Sequence, residues 1–304
     1  MSDRIWTRRN FLRRGAFVAG GAIMVPGLLS ACGESGKSSP SAGSGLDALK
    51  KKGTITVGIA GEEPYGFLKG GELTGEAPTV QTAIWNALGI DTVKAKQTEF
   101  DGLIPGLKAR HFDVVAAGMF ITPDRCAEAN FSDPVYCAPE AFMVPKGNPK
   151  NLTDFKSAAK AGVKLGVFGG AVEGDYAKKS GVKAGNITTL PNQRAGITQL
   201  QQGRIDAIAL TSISLNWALK QQSEDIQSKL EVTEGFVPKI DGKEILGCGA
   251  AVFRDDQDDL RKAFNEQLAK LKDSGKLTQM IEQFGFGKET LPPEDITTEK
   301  LCKG

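Results

Sequence analysis

The first three predicted strands of the chain are each followed by an aromatic side chain, namely Tyr65, Phe100 and Phe120. The face of an aromatic ring attracts a diffuse cation by about 0.5 to 2 kcal/mol, and more where water is excluded. If the three loops converge, their rings form a box for a cationic group. The alternative is that each ring packs in the core, which is the common role of a single large apolar side chain.

A complementary anion site is predicted at Arg125, which follows the turn Thr122-Pro123-Asp124. The planar guanidinium group matches a carboxylate with two parallel hydrogen bonds, which a lysine cannot form. Gly169-Gly170 precedes a predicted helix, whose free N–H groups and dipole favour the same carboxylate. Glu62 can accept hydrogen bonds from a cationic ring or an ammonium group. The alternatives are a solvated surface arginine and a Glu62 side chain that faces solvent beside Glu63.

The composition argues against most catalytic and nucleic-acid-binding classes. The 304 residues carry 38 Lys+Arg against 36 Asp+Glu, and this near balance is unlike a basic nucleic-acid-binding surface. His111 is the single histidine, which excludes a His-rich metal site, and its position at a polar helix end favours a surface role. The sequence has no phosphate-binding loop, dinucleotide fingerprint or Cys-x-x-Cys motif. We therefore expect no metal, no cofactor, no nucleic-acid partner and no catalysis.

Residues 1–31 have the pattern of an export signal. Arg8-Arg9 precedes a short apolar stretch, and paired arginines ahead of Phe11-Leu12 resemble the twin-arginine type of signal. The stretch ends in Leu29-Ser30-Ala31-Cys32, which resembles the lipobox, in which the cysteine is lipidated and becomes the first mature residue. Lipidation of Cys32 would explain the odd number of cysteines, which is five. The alternative is an uncleaved membrane anchor, which glycines and a proline within the apolar stretch disfavour.

The Gly/Ser-rich residues 32–48 are predicted to form a flexible tether, and beyond them short apolar strands alternate with amphipathic helices. The predicted strands are Thr54–Ala60, Val114–Met119, Val163–Phe168 and Ile205–Leu210. The predicted helices include Ala77–Leu88, Leu103–Ala109, Val172–Lys179 and Ala195–Gln202, followed by a stripe of Leu260, Phe264, Leu268 and Leu271. This alternation predicts an α/β protein with a mostly parallel sheet. In such sheets ligands bind beyond the carboxyl ends of strands, where the aromatic loops lie.

The segments Leu103–Val114, Gly118–Arg125 and Phe131–Pro134 resemble the family 3 extracellular solute-binding proteins of bacterial ABC importers. The resemblance implies a two-lobed, periplasmic-binding-protein-like (type II) fold with two hinge crossovers and the ligand in the cleft between the lobes. It places the first lobe in residues 49–136 and 248–304, the latter with a C-terminal tail, and the second lobe in residues 137–247.

Within this family, the Glu-x-Pro-aromatic motif from Glu62 to Tyr65, with Phe100, Phe120 and Arg125, resembles the subgroup that binds ectoine and 5-hydroxyectoine. The resemblance implies that the aromatic side chains enclose the ring of the solute, that Glu62 meets its N–H groups and that Arg125 holds its carboxylate. The expected ligand-binding set is Glu62, Tyr65, Phe100, Gly118, Phe120, Arg125, Val172 and Thr211.

Two departures from the amino-acid-binding pattern agree with this subgroup. Phe120 stands where those relatives have a hydroxyl residue, and Thr211 stands where they have an aspartate for the α-ammonium group. A compact ammonium group requires a carboxylate, whereas a delocalised cation can be satisfied by ring faces and one acid. These two positions therefore disfavour ordinary α-amino acids as ligands.

The same resemblance places the two crossovers near Tyr136-Cys137-Ala138 and Leu246-Gly247-Cys248, side by side. It implies a Cys137–Cys248 disulfide with Cys126 and Cys302 as a second pair, although four cysteines permit other pairings. The expected partners are a small zwitterionic solute, a membrane permease and the membrane itself through Cys32, with the protein outside the cytoplasm as a monomer. Rival functions are uptake of a polar amino acid or another betaine-like solute, and a periplasmic dehydratase that uses Glu62 and Glu173 as acids.

Overall fold

The computed structural model describes residues 45–304. The predicted signal peptide, the lipidation site Cys32 and residues 32–44 of the predicted tether lie outside the described residues. The tether was expected to extend to residue 48, but helix α1 already begins at Leu46. Leu49 is fully buried and Gly53 ends the helix in the left-handed conformation, so packing and a C-cap stabilise this short segment.

Strands and helices alternate along the chain as the apolar patterns predict. The strands are β1 (Thr54–Ile59), β2 (Phe67–Lys69), β3 (Glu72–Thr74), β4 (Thr92–Gln97), β5 (Val114–Phe120), β6 (Asn130–Phe131), β7 (Tyr136–Ala138), β8 (Glu140–Pro145), β9 (Leu165–Phe168), β10 (Ile187–Leu190), β11 (Ala207–Thr211), β12 (Leu230–Val232), β13 (Lys239–Ile240), β14 (Lys243–Glu244) and β15 (Gly247–Phe253). The helices are α1 (Leu46–Lys52), α2 (Glu76–Ala87), α3 (Leu103–Lys108), α4 (Pro123–Cys126), α5 (Phe155–Ala161), α6 (Val172–Lys179), α7 (Gln193–Gln201), α8 (Ser212–Lys220), α9 (Glu224–Lys229), α10 (Asp258–Asp273), α11 (Lys276–Ile281) and α12 (Thr298–Lys303). The predicted strands and helices are confirmed to within a few residues at their ends.

The fold has two lobes, each built on one mixed sheet. The first sheet has the order β4-β1-β5-β15-β6, with β7 also paired to β15, and the second has the order β10-β9-β11-β8-β12. The strands β4, β1 and β5 are parallel, as are β10, β9 and β11. The chain passes between the sheets twice. Strand β8 follows the first passage and is antiparallel to β11, and strand β15 follows the second and is antiparallel to β5. The two-lobed α/β fold that the family resemblance implied is confirmed, and each sheet combines parallel strands with antiparallel strands contributed by the crossovers.

The lobe limits follow from which sheet each strand joins. The chain leaves the first sheet after β7 and enters the second at β8, and it returns at β15. We propose that the lobes meet near Tyr136 and Gly247, because strand membership changes at these two points.

The core of the first lobe is closed by α10, whose apolar side chains recur at helical spacing. Leu260, Phe264 and Leu268 are fully buried, while Leu271 is partly buried at the edge of the same cluster. The ring of Phe264 packs 5.2 Å from Trp85 and 5.5 Å from Phe253, centroid to centroid. This stripe is therefore a core stripe, as its spacing predicts.

Two disulfides join segments that are far apart in sequence. Cys137 and Cys248 face each other across the antiparallel pair β7–β15, and they are bonded. Cys126, at the end of α4, is bonded to Cys302 in α12. Both pairs that the family resemblance implied are confirmed.

Within residues 45–304, helices of the length and apolarity needed to cross a bilayer are absent.

Removal of the Cys137–Cys248 bond by the double substitution Cys137→Ser and Cys248→Ser is expected to lower the free energy of unfolding by about 2 to 5 kcal/mol. The bond closes a loop with a sequence separation of 111, so it restricts the unfolded chain strongly. Denaturant unfolding of the oxidised proteins, monitored by circular dichroism, gives the difference. An unchanged midpoint and slope would show that this bond does not stabilise the fold.

Candidate ligand-binding site

The residues predicted to bind the ligand come together at the cleft between the lobes. They line one cavity with a volume of about 30 Å³. The cavity residues from the prediction are Glu62, Tyr65, Phe100, Gly118, Phe120, Arg125, Val172 and Thr211. These side chains come from loops and strand ends of both sheets, as the rule for ligands of open α/β sheets predicts.

Arg125 is held between the two lobes by its own hydrogen bonds. Its Nη1 donates to the carbonyl of Phe120 at 2.8 Å, and its Nη2 donates to the carbonyl of Gly170 at 2.8 Å. The guanidinium carbon also lies 5.3 Å from the centre of the Phe100 ring, which is cation–π distance. Burial lowers the pKa of Arg125, and the nearby Glu173 carboxyl group opposes this shift. These contacts fix the orientation of the guanidinium group while the lobes are in contact.

The aromatic side chains serve both the core and the cavity. Tyr65 and Phe120 are almost fully buried, and both belong to the core cluster of the first lobe. Tyr65 stacks on Tyr136 with ring centroids 5.4 Å apart, and Phe120 lies 6.2 Å from the same ring. The same rings therefore pack in the core and line the cavity, because one edge of the core forms the cavity wall.

Gly118 allows the rings to approach the backbone. Its φ is +60°, a left-handed conformation that favours glycine. A Cβ atom there would lie 2.3 Å from Cδ1 of Tyr65 and 2.9 Å from the hydroxyl of Tyr136. The carbonyl of Gly118 accepts a hydrogen bond from that hydroxyl at 2.7 Å. Any side chain at this position would displace the stacked tyrosines.

Hydrogen bonds between the lobes surround the cavity. The hydroxyl groups of Tyr65 and Thr211 lie 2.6 Å apart, and Thr211 also accepts from the backbone N–H of Ser214. The hydroxyl of Ser214 donates to Glu62 at 2.8 Å. The side chain of Gln193 donates to the carbonyl of Glu63 at 2.7 Å, outside the cavity. Each of these hydrogen bonds contributes on the order of 1 kcal/mol net. The hydrogen bonds that a ligand would form with both lobes are of the same strength.

Glu63 supports the contact between the lobes rather than facing solvent. Its carboxylate accepts from Nε1 of Trp217 at 2.9 Å. Glu62 therefore does not face solvent beside it, since its own carboxyl group points into the cleft toward Ser214.

Three carboxyl groups face one guanidinium group in this region. Burial raises the pKa of Glu62 to about 8, with the hydrogen bond from Ser214 opposing and the Glu173 charge adding to the shift. Burial also raises the pKa of Glu173 to about 7, although its hydrogen bonds and Arg125 oppose the shift. Burial and the neighbouring Glu173 raise the pKa of Glu140. At neutral pH Glu62 is therefore mostly protonated, and a cation beside it would favour its charged form.

The N-terminus of α6 lies at the same end of the cavity as Arg125, the end that favours an anion. Ala171, Val172 and Glu173 line the cavity, and no side chain caps the helix at Ala171. The free N–H groups of the first turn and the guanidinium of Arg125 therefore favour a carboxylate from two directions, as the Gly169-Gly170 pattern predicts.

A larger cavity of about 290 Å³ adjoins the first and shares Glu62 and Phe100 with it. Its other lining residues include Glu99, Asp101 and Asn192. The small cavity holds the volume of about one water molecule. A ring-shaped solute therefore reaches Arg125 only when the hydrogen bonds between the lobes open.

Several residues of the site were not predicted. Glu140 lies at the start of the buried strand β8, and an acid beside the apolar run Ala141-Phe142-Met143 is the signal that could have found it. Glu173 was considered above only as an acid of the rival dehydratase function, because its position in the first turn of a helix is typical of a charge that offsets the dipole. Ser214 and Gln193 carry no sequence signal, because their role depends on how the lobes meet.

The arrangement can recognise a zwitterion: Arg125 and α6 at one end, and ring faces with Glu62 at the other. His111 is exposed and takes no part in the site. Groups of three or more His, Cys, Asp or Glu side chains that could hold a metal ion are absent from residues 45–304.

Residues 55–288 match the model of the bacterial extracellular solute-binding proteins, family 3. The chain belongs to this family. Solute-binding proteins of ABC importers bind small solutes outside the cytoplasm and work with a membrane permease.

Named relatives of this family are similar over most of the chain. A probable amino-acid ABC transporter periplasmic-binding protein from Sinorhizobium fredii is 34% identical over 84% of this chain and 85% of its own length. The L-arginine-binding protein of Pseudomonas aeruginosa is 28% identical over 76% of this chain and 87% of its own. Among solved structures, the crystal structure of EhuB in complex with hydroxyectoine superposes on this chain with a TM-score of 0.76. The two sequences are 35% identical, and the match covers 84% of this chain and 97% of that chain.

Glu76 lies beneath the site and has no hydrogen-bond partner for its carboxyl group. It is 1% exposed, and it shares a cavity of about 10 Å³ with Gln81, Gly118 and Tyr136. Burial raises the pKa of Glu76 from 4.5 to about 8. The folded protein therefore binds a proton here that the unfolded chain releases as the pH rises above about 4.5.

Glu76→Gln is expected to stabilise the protein relative to the wild type as the pH rises. The wild-type contribution is complete below pH 4.5 and is lost as the pH approaches 8, by about 1.4 kcal/mol for each pH unit. Denaturant unfolding of both proteins at pH 5, 6.5 and 8 measures the difference, in which the other titrating groups cancel. A difference that is constant across these pH values would contradict the buried, protonated carboxyl group.

Proposed function

We propose that this protein is the substrate-binding lipoprotein of an ABC importer and that it captures ectoine and 5-hydroxyectoine. The observation that carries the proposal is the convergence of Arg125, three aromatic residues and Glu62 on one cavity between the lobes. Ectoine is a ring with a delocalised cation and one carboxylate. Its two ends correspond to the two ends of this cavity.

The carboxylate of the ligand would bind Arg125 and the first turn of α6. Arg125 already uses two N–H groups on the carbonyls of Phe120 and Gly170, which leaves its other donors for a ligand. Burial lowers the pKa of Arg125, so its charged form is disfavoured. A carboxylate beside the guanidinium group would offset this charge.

The cationic ring would lie against Tyr65 and Phe120, with Glu62 accepting from its N–H groups. The face of Phe100 already receives Arg125, so this ring contributes by fixing the guanidinium group as well as by enclosing the ligand. Thr211 bonds to Tyr65 and caps α8, and it offers no charge to an α-ammonium group. This distribution supports a cyclic cation over an ordinary α-amino acid.

The similarity to EhuB, whose structure contains hydroxyectoine, supports the same ligand class. For a ligand of about ten non-hydrogen atoms, micromolar affinity requires about 0.8 kcal/mol per atom, which is within the range for small ligands.

The second candidate ligand is a basic amino acid such as arginine. The observation that favours it is the excess of acids: Glu62, Glu140 and Glu173 face a single Arg125, and the adjoining cavity adds Glu99 and Asp101. A ligand with a second positive charge could extend into that cavity. The relative named for L-arginine supports this candidate.

The proposal also includes a binding rather than a catalytic role, a monomeric state, and anchoring to the membrane through a lipidated Cys32 after export by the twin-arginine route. The binding role is supported by the family, whose named members are binding proteins of importers. The lipid anchor and the export route are supported by the motifs at Arg8-Arg9 and at Leu29-Ser30-Ala31-Cys32. Mass spectrometry of the mature protein tests the lipid on Cys32.

Calorimetric titration of the purified protein with ectoine, hydroxyectoine, glycine betaine and L-arginine is expected to give roughly micromolar binding for the ectoines and weak or absent binding for the others. Arg125→Gln is expected to weaken ectoine binding by about 1 to 3 kcal/mol, because it leaves the carboxylate without a charged donor. Arg125→Lys keeps the charge and loses the paired geometry, so its affinity should fall between the two.

Absence of heat with either ectoine would exclude this ligand. Tight binding of L-arginine in the same experiment would establish the second candidate instead.

Ectoine binding is expected to strengthen as the pH rises from 6 to 8 and to level off above. The cationic ring favours the charged form of Glu62, whose pKa is about 8 without ligand, so binding releases a proton. The affinity should change by up to about tenfold for each pH unit below that pKa. Calorimetry at several pH values, in buffers with different heats of ionisation, measures both the affinity and the protons released.

Glu62→Gln should remove this dependence. A wild-type affinity that does not vary between pH 6 and 8 would contradict contact between the cation and Glu62.

A further inference from the structure

We propose that the carboxy-terminal helix α12 is a positioning element for Arg125, acting through the Cys126–Cys302 disulfide. The inference rests on the proposed function, in which Arg125 holds the carboxylate of the ligand. Cys302 is thus a residue that sets ligand affinity although it does not touch the ligand.

The helix that carries Arg125 is too short to hold its own position. α4 consists of four residues, Pro123–Cys126, and none of them is buried. A helix of this length is unstable without external support. Its N-cap contact, from the N–H of Arg125 to the hydroxyl of Thr122, is long at 3.3 Å.

The support comes from α12. Cys302 is covalently bonded to Cys126, the residue next to Arg125. The hydroxyl of Thr298 donates to the carbonyl of Ser132 at 2.8 Å, which fixes the start of α12 to the first lobe.

The same attachment reaches the other side of the guanidinium group. Leu301, Cys302, Cys126 and Phe100 all pack against one core cluster of the first lobe. Phe100 is the ring over which Arg125 lies. The helix α12 is therefore attached to the backbone that carries Arg125, and it packs against the same cluster as the ring over which Arg125 lies.

This attachment is added to the part of the chain that the family model describes. The match ends at residue 288, whereas α12 begins at Thr298. Recognition of a carboxylate by a paired guanidinium group depends on position and angle, so a small displacement of α4 weakens it.

The test is a double-mutant cycle on ectoine binding. Cys302→Ser is expected to raise the Kd about fivefold to tenfold in the wild-type background, and to change it by less than about twofold in the Arg125→Gln background. This lack of additivity distinguishes positioning of Arg125 from a general loss of stability, which would weaken both proteins equally. Cys126→Ser with Cys302→Ser repeats the measurement without a free thiol.

The matched control is Asp113→Ala. The carboxylate of Asp113 accepts from the N–H of Thr56 at 2.8 Å, and it lies just before β5, at the end of this strand opposite Phe120. The Asp113→Ala substitution should lower the melting temperature of the protein without changing the Kd for ectoine.

Reduction of the native protein gives a second route if Cys302→Ser does not fold. Cys126 and Cys302 are half-buried, whereas Cys137 and Cys248 are buried, so a mild thiol should open the first bond before the second. Peptide mapping confirms which bond has opened, and the Kd is measured on that species.

The outcomes separate this inference from the proposed function. If the wild type binds ectoine and opening the Cys126–Cys302 bond leaves the Kd unchanged, or weakens both backgrounds equally, positioning by α12 is wrong. If the wild type binds no ectoine, the proposed ligand is wrong, and hydrogen exchange then decides the inference. Opening the bond should increase exchange in residues 120–128 at least about tenfold, and unchanged exchange there would overturn it.

Discussion

The guanidinium group of Arg125 is bonded to one carbonyl from each lobe, and the rest of the site is arranged around this contact. A buried cation is costly unless its donors are satisfied, and here Phe120 and Gly170 satisfy part of them. The remaining donors face a cavity that also receives the N-terminus of α6. The surroundings of this guanidinium group therefore belong to both lobes at once.

The opposite end of the site works through the same low polarity. Burial that strengthens the interaction of Arg125 with an anion also raises the pKa of Glu62, Glu140 and Glu173. At neutral pH Glu62, whose pKa is about 8, is mostly protonated, which limits the repulsion among these carboxyl groups. One environment of low polarity thereby acts on the guanidinium group and on the carboxyl groups.

Local patterns in the sequence predicted the α/β elements, whereas the two lobes and the expected ligand-binding residues came from the resemblance to a family. Apolar runs identify strands such as β5, and the loops after them carry Tyr65, Phe100 and Arg125. The contacts between the two lobes cannot be predicted from such local patterns. Ser214 and Gln193 reach their partners only through the relative position of two sheets, and Glu140 acquires its character from neighbours distant in sequence. The tether was predicted too long because α1 is stabilised by Leu49 in the core, which composition alone does not reveal.

The Cys137–Cys248 bond has a mechanical meaning for a protein with two lobes. The strands β7 and β15 are the two places where the chain passes between the sheets, and this bond joins them side by side. The crossings therefore cannot slide past each other or separate. Any relative motion of the lobes must therefore take place with these two crossings covalently joined.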